Sequence, residues 1–230
     1  MSPQAKELRV VLFGATGMIG SGVLQACLDD PAVSSVLSLS RSGSGRSHPK
    51  LQECLHSDFF NYDAIAGRLA GYNACLFALG VSSLGMSEAD YSRVTYDLTL
   101  AAAEAMLKAN PGSSFCYISG KSTDSTEKGS AMWARVKGRI ENKLLGMDFH
   151  PAVMLRPGGI QPMKGFQSRT RWYRIFYMLM GPLMPLLVKF SPGAATTAER
   201  LGRAMLIAAR GEAGKPILES LDINRLGAQA

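Results

Sequence analysis

Residues 8–20 read LRVVLFGATGMIG, an apolar run that ends directly in a glycine-rich turn. The glycines have the spacing GxxGxxG, and an apolar helical pattern follows to about residue 28. A strand that turns tightly into a helix directs backbone N–H groups at a pyrophosphate, and glycines leave room for the ligand. The stretch therefore predicts a dinucleotide-binding βα unit, with a ligand-free structural turn as the alternative. The residues expected to contact the cofactor here are Gly14, Ala15, Thr16, Gly17, Met18, Ile19 and Gly20.

The rest of the chain repeats this alternation of strands and helices. Apolar strands are predicted at 33–40, 55–60, 73–80, 113–119 and 152–157, and helices at about 62–70, 88–109 and 130–146. Such an alternation with continuously apolar strands indicates a parallel sheet that helices cover on both faces. The expected fold class is α/β, with a Rossmann-like doubly wound parallel sheet.

The regular alternation of predicted strands and helices ends after Pro157, where glycine and proline predict a loop. An apolar stretch follows, then a helix at 198–210, a short strand at 215–220 and a terminal turn of helix. We expect residues 1–157 to form the nucleotide-binding core and residues 158–230 a smaller substrate-side portion. Because no flexible linker separates them, one compact unit is expected overall.

The composition is that of a globular protein with a basic surface. Of 230 residues, 47% are hydrophobic and 19% charged, and the net charge is +7. A positive charge favours anionic partners, such as a phosphorylated cofactor or an acidic lipid surface. Nucleic acid is not expected as a partner, because no block of arginine and lysine and no basic run interleaved with aromatic residues is present.

The cysteines and histidines predict neither disulfides nor a metal site. Four widely spaced cysteines form no CxxC pair, and no signal peptide is evident, so reduced thiols and a cytoplasmic location are expected. The histidines at 48, 56 and 150 lack the spacing of metal ligands. We therefore expect no metal.

The end of the second predicted strand bears on the choice of cofactor. It reads SLSRS and lacks the acidic residue that would bind the ribose 2′-hydroxyl of NAD. Arg41 offers a planar, charged fork for a 2′-phosphate, which favours NADP over NAD; a solvated loop arginine is the alternative. Asp58, predicted at the end of the third strand, is placed to meet the adenine edge or to cap the segment that follows it.

Several motifs together resemble those of the short-chain dehydrogenase/reductase superfamily. They are GATGMIG, the Ser-Arg pair after strand two, the loop with Gly80, YIS at 117–119, WARVKGRIENKL at 133–144 and LRPG at 155–158. More narrowly, the chain resembles the atypical branch with small NAD(P)-binding epimerase-like proteins and Tat-interacting oxidoreductase-like proteins. The resemblance implies a cofactor contact at Gly80.

The same resemblance implies a catalytic serine after strand five and a Tyr-x-x-x-Lys pair on the next helix. The matching positions are Ser119 and Lys137, but the tyrosine position holds Trp133. By resemblance the serine orients a substrate carbonyl and the lysine binds the nicotinamide ribose; a surface lysine is the alternative. An indole N–H donates a hydrogen bond but does not titrate usefully, so Trp133 cannot act as the acid.

Two hypotheses follow from the missing phenol. The first is an NADP-dependent oxidoreductase that acts on a small or apolar carbonyl-type substrate with another acid. The second is an NADP-binding regulatory or scaffold protein without turnover.

Other tyrosines do not replace the missing phenol by their spacing. Tyr117 and Lys121 form a literal YxxxK, but on a strand and its turn they would lie far apart. Tyr91 and Tyr96 fall on the helix predicted after strand four, with no spacing that assigns them a role.

Residues 172–190, WYRIFYMLMGPLMPLLVKF, form an apolar stretch with basic flanks. Its uncharged part, 175–188, is too short to span a bilayer as a helix. Core packing, a lid or wall of the substrate pocket, and peripheral contact with a membrane or a protein partner stay open as interpretations. The oligomeric state is also left open by the sequence.

Overall fold

The computed structural model of the chain describes residues 6–163, 188 and 191–229, and its centre is a seven-stranded parallel sheet. The strand order is β3-β2-β1-β4-β5-β6-β9, which confirms the predicted doubly wound fold. The strands are β1 (Leu8–Phe13), β2 (Val33–Ser40), β3 (Leu51–Leu55), β4 (Ala74–Phe77), β5 (Ser114–Ile118), β6 (Ala152–Arg156) and β9 (Ile217–Glu219). The order reverses between β1 and β4, and ligands of such sheets bind at that point, beyond the carboxyl ends of the strands.

Helices cover both faces of the sheet. They are α1 (Met18–Asp29), α2 (Ala66–Leu69), α3 (Glu88–Ser92), α4 (Leu98–Ala109), α5 (Met132–Leu145), α6 (Ala198–Ala209) and α7 (Ser220–Gln229). Successive side chains of a strand point to opposite faces. In β1, Val10 and Leu12 accordingly pack in the cluster that contains residues of α1 and α6, whereas Val11 and Phe13 pack with residues of α4 and α5. β1 and β4, which lie in the middle of the sheet, therefore carry apolar side chains on both faces.

Two predicted elements differ from those observed. The third strand was expected at 55–60 and lies at Leu51–Leu55; the prediction was wrong because Phe59 reaches the core from a turn, packing against Phe13 with ring centroids 6.3 Å apart. A single helix was expected at 88–109. The structure instead has α3 and α4 joined by a π-helical segment at Arg93–Asp97.

The portion after residue 157 is joined to the core by strands and a helix. β7 (Gly159–Gln161) and β8 (Ala195–Thr197) form a separate two-stranded parallel sheet, which was not predicted. β9 extends the main sheet beside β6, and α7 is longer than the expected terminal turn. The division at residue 157 stays a prediction.

The apolar stretch 172–190 lies outside the described residues apart from Val188, so its predicted roles stay predictions. Within the part of the chain that the structure describes, no helix is both long enough and apolar enough to cross a membrane.

Candidate functional site

The turn between β1 and α1 is built from glycine packed on backbone. Gly14 has φ +85°, and a Cβ there would lie 2.8 Å from the carbonyl oxygen of Ala78. A Cβ at Gly20 would overlap the Gly14 carbonyl oxygen. The Gly17 N–H donates to that same oxygen at 2.9 Å. Neither Gly14 nor Gly20 can therefore carry a side chain without moving the turn.

The turn leaves the start of α1 open to solvent. Gly17 is the exposed N-cap, without a side-chain capping bond, and no acidic residue occupies the first turn. The first N–H groups of a helix have no acceptor within the helix, and the dipole favours negative charge there. Of the predicted cofactor residues, Ala15 is buried beneath this turn and Thr16 is half-buried beside it.

A cleft of about 440 Å³ opens at this point, beyond the carboxyl ends of β1, β4 and β5. Gly17, Met18 and Ile19 form its wall on the side of α1. Gly80 and Ser82 contribute from the segment after β4, and the opposite wall contains Ser119 and Lys137. The structure thus brings together residues from four separated motifs at the switch point of the sheet.

Ser119 and Lys137 are joined directly. Ser119 is 5% exposed and follows β5, and its hydroxyl donates to the Leu155 carbonyl oxygen at 3.2 Å. The Lys137 ammonium on α5 donates to the carbonyl oxygen of Ser119. Burial lowers the pKa of Lys137 to about 8, and the negative charge of Glu141 partly offsets that effect. The lysine of the predicted pair therefore lies in the cleft beside the predicted serine.

No tyrosine among the described residues lines the cleft with them. Trp133 lies one turn before Lys137 and is half-buried. Tyr117 lies on β5 as predicted; it is 2% exposed with its ring 5.9 Å from that of Phe77, and burial raises its pKa far above the ordinary value. Lys121 is exposed, and its ammonium donates to the Gly193 carbonyl oxygen at 3.3 Å.

A buried ion pair lies behind Lys137 and was missed by the sequence analysis. Glu141 is fully buried one turn after Lys137 on α5. The Arg156 Nε of β6 donates to both of its carboxylate oxygens at 3.1 Å, and Nη2 donates to one of them as well. The guanidinium also donates to the Ser125 hydroxyl at 2.5 Å. The signal in the sequence was the spacing of four from Lys137 together with an arginine at the end of a predicted strand.

The loop after β2 has an acidic neighbour that the sequence did not reveal. Arg41 is exposed at the start of this loop, and the Ser40 hydroxyl donates to the Ser42 carbonyl oxygen at 2.7 Å. Glu53 of β3 accepts a hydrogen bond from the Ser44 N–H at 2.5 Å. Since β3 pairs with β2, the register places this carboxylate beneath the loop. One of its oxygens is thus used to hold the loop.

Asp58 does not stand at the end of a strand. It is exposed, three residues beyond β3, and its carboxylate accepts a hydrogen bond from the Phe60 N–H at 3.0 Å. A carboxylate that binds the N–H two residues ahead stabilises a turn. Within the described residues Asp58 caps no helix, since the 3₁₀ turn that follows begins after Tyr62 without a side-chain capping bond. The adenine contact stays a prediction.

Comparison of the sequence with known proteins identifies full-length relatives. No protein-family model matches the chain. It is 28% identical to the mitochondrial protein FMP52 of Chaetomium globosum over 94% of this chain and 96% of that protein. It is 27% identical to the mitochondrial protein fmp52-2 of Aspergillus oryzae, over 94% and 95%. These relatives contradict the expected cytoplasmic location, which was wrong because free, buried cysteines indicate reduced thiols and not a compartment.

Comparison of the structure finds enzymes of one fold. A short chain dehydrogenase family protein from Francisella tularensis matches with TM-score 0.65 and 12% identity, over 93% of this chain and 96% of that one. A short chain dehydrogenase from Burkholderia cenocepacia in complex with NADP matches with TM-score 0.63 and 16% identity, over 94% and 89%. The enzyme WbmH of Bordetella bronchiseptica in complex with NAD+ matches with TM-score 0.59 and 18% identity, over 89% and 72%. The resemblance that the motifs indicated is thus confirmed, and the chain has the fold of the short-chain dehydrogenase/reductase superfamily.

Proposed function

We propose that the chain is an oxidoreductase that binds NADP in the cleft and acts on a small or apolar carbonyl-type substrate. The observation that carries this proposal is the cleft itself, because one cavity joins the open start of α1 to Ser119 and Lys137. Solved structures of the same fold contain NADP or NAD, so a nicotinamide dinucleotide is the ligand class that suits it.

The residues present suit such a cofactor. The glycine contacts at Gly14 and Gly20 keep the turn bare of side chains, and the free N–H groups of α1 are suited to a pyrophosphate. Gly80 is exposed on the cleft wall with nothing within 4 Å of an added Cβ, so a flat ring can approach its backbone. Lys137 would bind the ribose next to the nicotinamide. When bound, the cofactor supplies or accepts a hydride.

Arg41 favours NADP over NAD. It is exposed at the end of β2, where the adenosine ribose lies in doubly wound folds, and its guanidinium suits a phosphate. Glu53 is the opposing charge in this region, but its carboxylate accepts the Ser44 N–H and holds the loop. A basic group without an assigned hydrogen-bond partner among the described residues therefore stands near a carboxylate of which one oxygen already accepts a bond from the loop.

Ser119 would orient the substrate. Its hydroxyl is directed at the Leu155 carbonyl oxygen at 3.2 Å, a bond long enough to be exchanged for a substrate oxygen. The apolar part of the cleft wall, Ile118 with Leu79 and Val81, suits an apolar substrate. Since the fold supports many chemistries, these wall residues define a substrate class and not one compound.

Trp133 favours a second candidate function, a cofactor-binding regulatory or scaffold protein. Trp133 stands at the motif position of the tyrosine, and its indole cannot give a proton to a substrate. Such a protein would bind NADPH with no turnover. The two candidates differ in whether any carbonyl compound is reduced.

Binding of NADPH and NADH to the wild type and to Arg41→Ala tests the cofactor assignment. Loss of a charge-assisted phosphate contact, about 1.5–3 kcal/mol, should raise the Kd for NADPH by about 10–100-fold and leave the Kd for NADH unchanged. Tryptophan fluorescence quenching measures both constants. Arg46→Ala is the matched control, because Arg46 carries the same charge in the same loop but donates to Gln25 at 2.7 Å. Equal weakening by both variants would show that only the net charge matters, and absence of NADPH binding to the wild type would refute the proposed function.

A further inference from the structure

We propose that Lys137 is itself the proton donor of this site, in place of the phenol that Trp133 does not provide. The inference rests on the proposed function and names the acid of the same reaction. Its basis is position: the ammonium lies on the cleft wall beside Ser119, which is the residue expected to orient the substrate.

The other titratable side chains near the cleft are occupied elsewhere. Tyr117 is buried in the core, and Tyr91 is 2% exposed within α3. Tyr96 packs beneath the Arg139 guanidinium at 4.5 Å from its ring centroid. Lys137 is the one side chain with an ionisable proton among the described residues that line the cleft.

The hydrogen bonding of Lys137 leaves protons available. An ammonium has three N–H donors. One is used by the Ser119 carbonyl oxygen, and no other acceptor is assigned to Nζ among the described residues. Gly120 follows Ser119 and adds no side chain beside Nζ, which would lie 3.9 Å from a Cβ at that position. Two N–H groups can therefore serve a ribose hydroxyl and a substrate oxygen.

The surroundings of Lys137 favour release of a proton near neutral pH. Burial disfavours the ammonium and lowers its pKa to about 8, against the opposing charge of Glu141. Glu141 faces it from the same helix, and Arg156 of β6 pairs with that carboxylate from the other side. The segment after β5 contributes the uncharged Ser119 carbonyl, and the segment after β4 contributes Gly80 and Ser82, which carry no charge. Glu141 is thus a positioning residue that keeps Lys137 protonated without binding its proton.

The reduction step balances with this single donor. The substrate carbonyl carbon accepts a hydride from the dihydronicotinamide dinucleotide, and the carbonyl π bond breaks as its oxygen takes a proton from the Lys137 ammonium. The products are the alcohol, the oxidised dinucleotide and a neutral amine. Water returns a proton to that amine before the next turnover.

The first test is chemical rescue of Lys137→Ala with saturating NADPH and 4-nitrobenzaldehyde as the probe carbonyl. Removal of a general acid should lower kcat by about 100-fold or more. Methylamine should restore part of the rate, because it fills the space and carries a transferable proton. Guanidine restores the charge but does not give up its proton at neutral pH, and it should not restore the rate. Equal rescue by guanidine, or full activity of Lys137→Ala, would overturn the proposal.

The second test uses the pH profile. The wild-type rate of reduction should fall as the pH rises through about 8. Glu141→Gln removes the charge that favours the ammonium and should move this fall to lower pH, a shift that a merely structural role would not produce. An unmoved profile in a folded Glu141→Gln protein contradicts the role of Glu141.

Tyr173 and Tyr177 are phenols outside the described residues. Tyr173→Phe and Tyr177→Phe should retain the rate of reduction, and loss of the rate in either variant would identify that tyrosine as the acid.

The pKa of the Lys137 amine can also be measured directly, without catalysis. Competitive labelling of the protein alone with acetic anhydride, followed by mass spectrometry of the Lys137 peptide, measures the pKa of the amine against N-acetyl-lysine. A pKa near 8 supports the proposal, and a value like that of the free amino acid overturns it.

NADPH binding without reduction of the aldehyde at any pH overturns Lys137 as donor but leaves the cofactor site intact. Failure to bind NADPH refutes the proposed function itself.

Discussion

Lys137 carries a charge in a place that disfavours charge. Burial lowers its pKa to about 8, while an unfolded chain holds the same amine near its ordinary value of about 10.4. Between these two values the unfolded state binds the proton and the folded state does not. Below a pH of about 8 both states bind the proton, and the buried ammonium lowers the free energy of unfolding. This loss is recovered as the pH rises from about 8 to about 10.4.

Replacement of this amine by an apolar side chain should make that cost visible. The quantity to compare is the free energy of unfolding of Lys137→Met minus that of the wild type. This difference should be about 2 kcal/mol larger at pH 7 than at pH 10. Urea unfolding at both pH values measures the difference, and other titrating groups cancel because both proteins contain them. An advantage that does not change with pH would mean that Lys137 titrates as it does in the unfolded chain.

At the scale of elements, local chemistry determined what could be predicted. The positions of β1, the glycine turn and α1 were predicted closely. The glycines of a tight turn and the spacing of apolar residues in a strand or helix can be seen in residues adjacent in the sequence. β3 was misplaced because the buried Phe59 resembles a strand residue although it lies in a turn. Glu53 and Glu141 could not be assigned, because their partners Ser44 and Arg156 are brought to them by strand register and by helix packing.

The packing of α1 on α6 depends on a close approach of the two helices. A Cβ at Gly22 would lie 2.5 Å from the Cβ of Ala198, and one at Gly202 would lie 2.8 Å from the Cβ of Ala26. Each glycine thus lets the opposite backbone come near. Because the glycine turn leads directly into α1, this contact also holds that turn against the portion after residue 157.

Gly22→Ala should therefore destabilise the protein by about 1–3 kcal/mol through overpacking. Gly67→Ala is the matched control, since a Cβ there meets nothing within 4 Å, and in a helix it should be neutral or stabilising by up to about 1 kcal/mol. Thermal unfolding of both variants measures the contrast. Similar midpoints for the two would mean that the helices can move apart at little cost.

At the scale of the whole molecule, the sheet is completed by a strand from the later part of the chain. β9 pairs with β6 in parallel register, and Leu218 of β9 is fully buried in the same cluster as Leu12 of β1. Residues 1–157 and the portion after residue 157 should therefore unfold together.

Leu218→Asp tests this cooperativity. A carboxylate forced into that cluster should cost more than about 4 kcal/mol and abolish NADPH binding together with the far-UV circular dichroism. Leu221→Asp places the same charge three residues later, where the side chain is 42% exposed, and should leave both signals unchanged. A Leu218→Asp protein that still binds NADPH would show that residues 1–157 fold alone.

The position of β9 in the chain also has a consequence during synthesis. β6 leaves the ribosome well before residues 217–219, so for that interval its outer edge has no strand partner. An unpaired edge is a template for pairing with other chains. A nascent or prematurely ended product is therefore an aggregation risk, and chaperones that shield strand edges should be needed most late in translation.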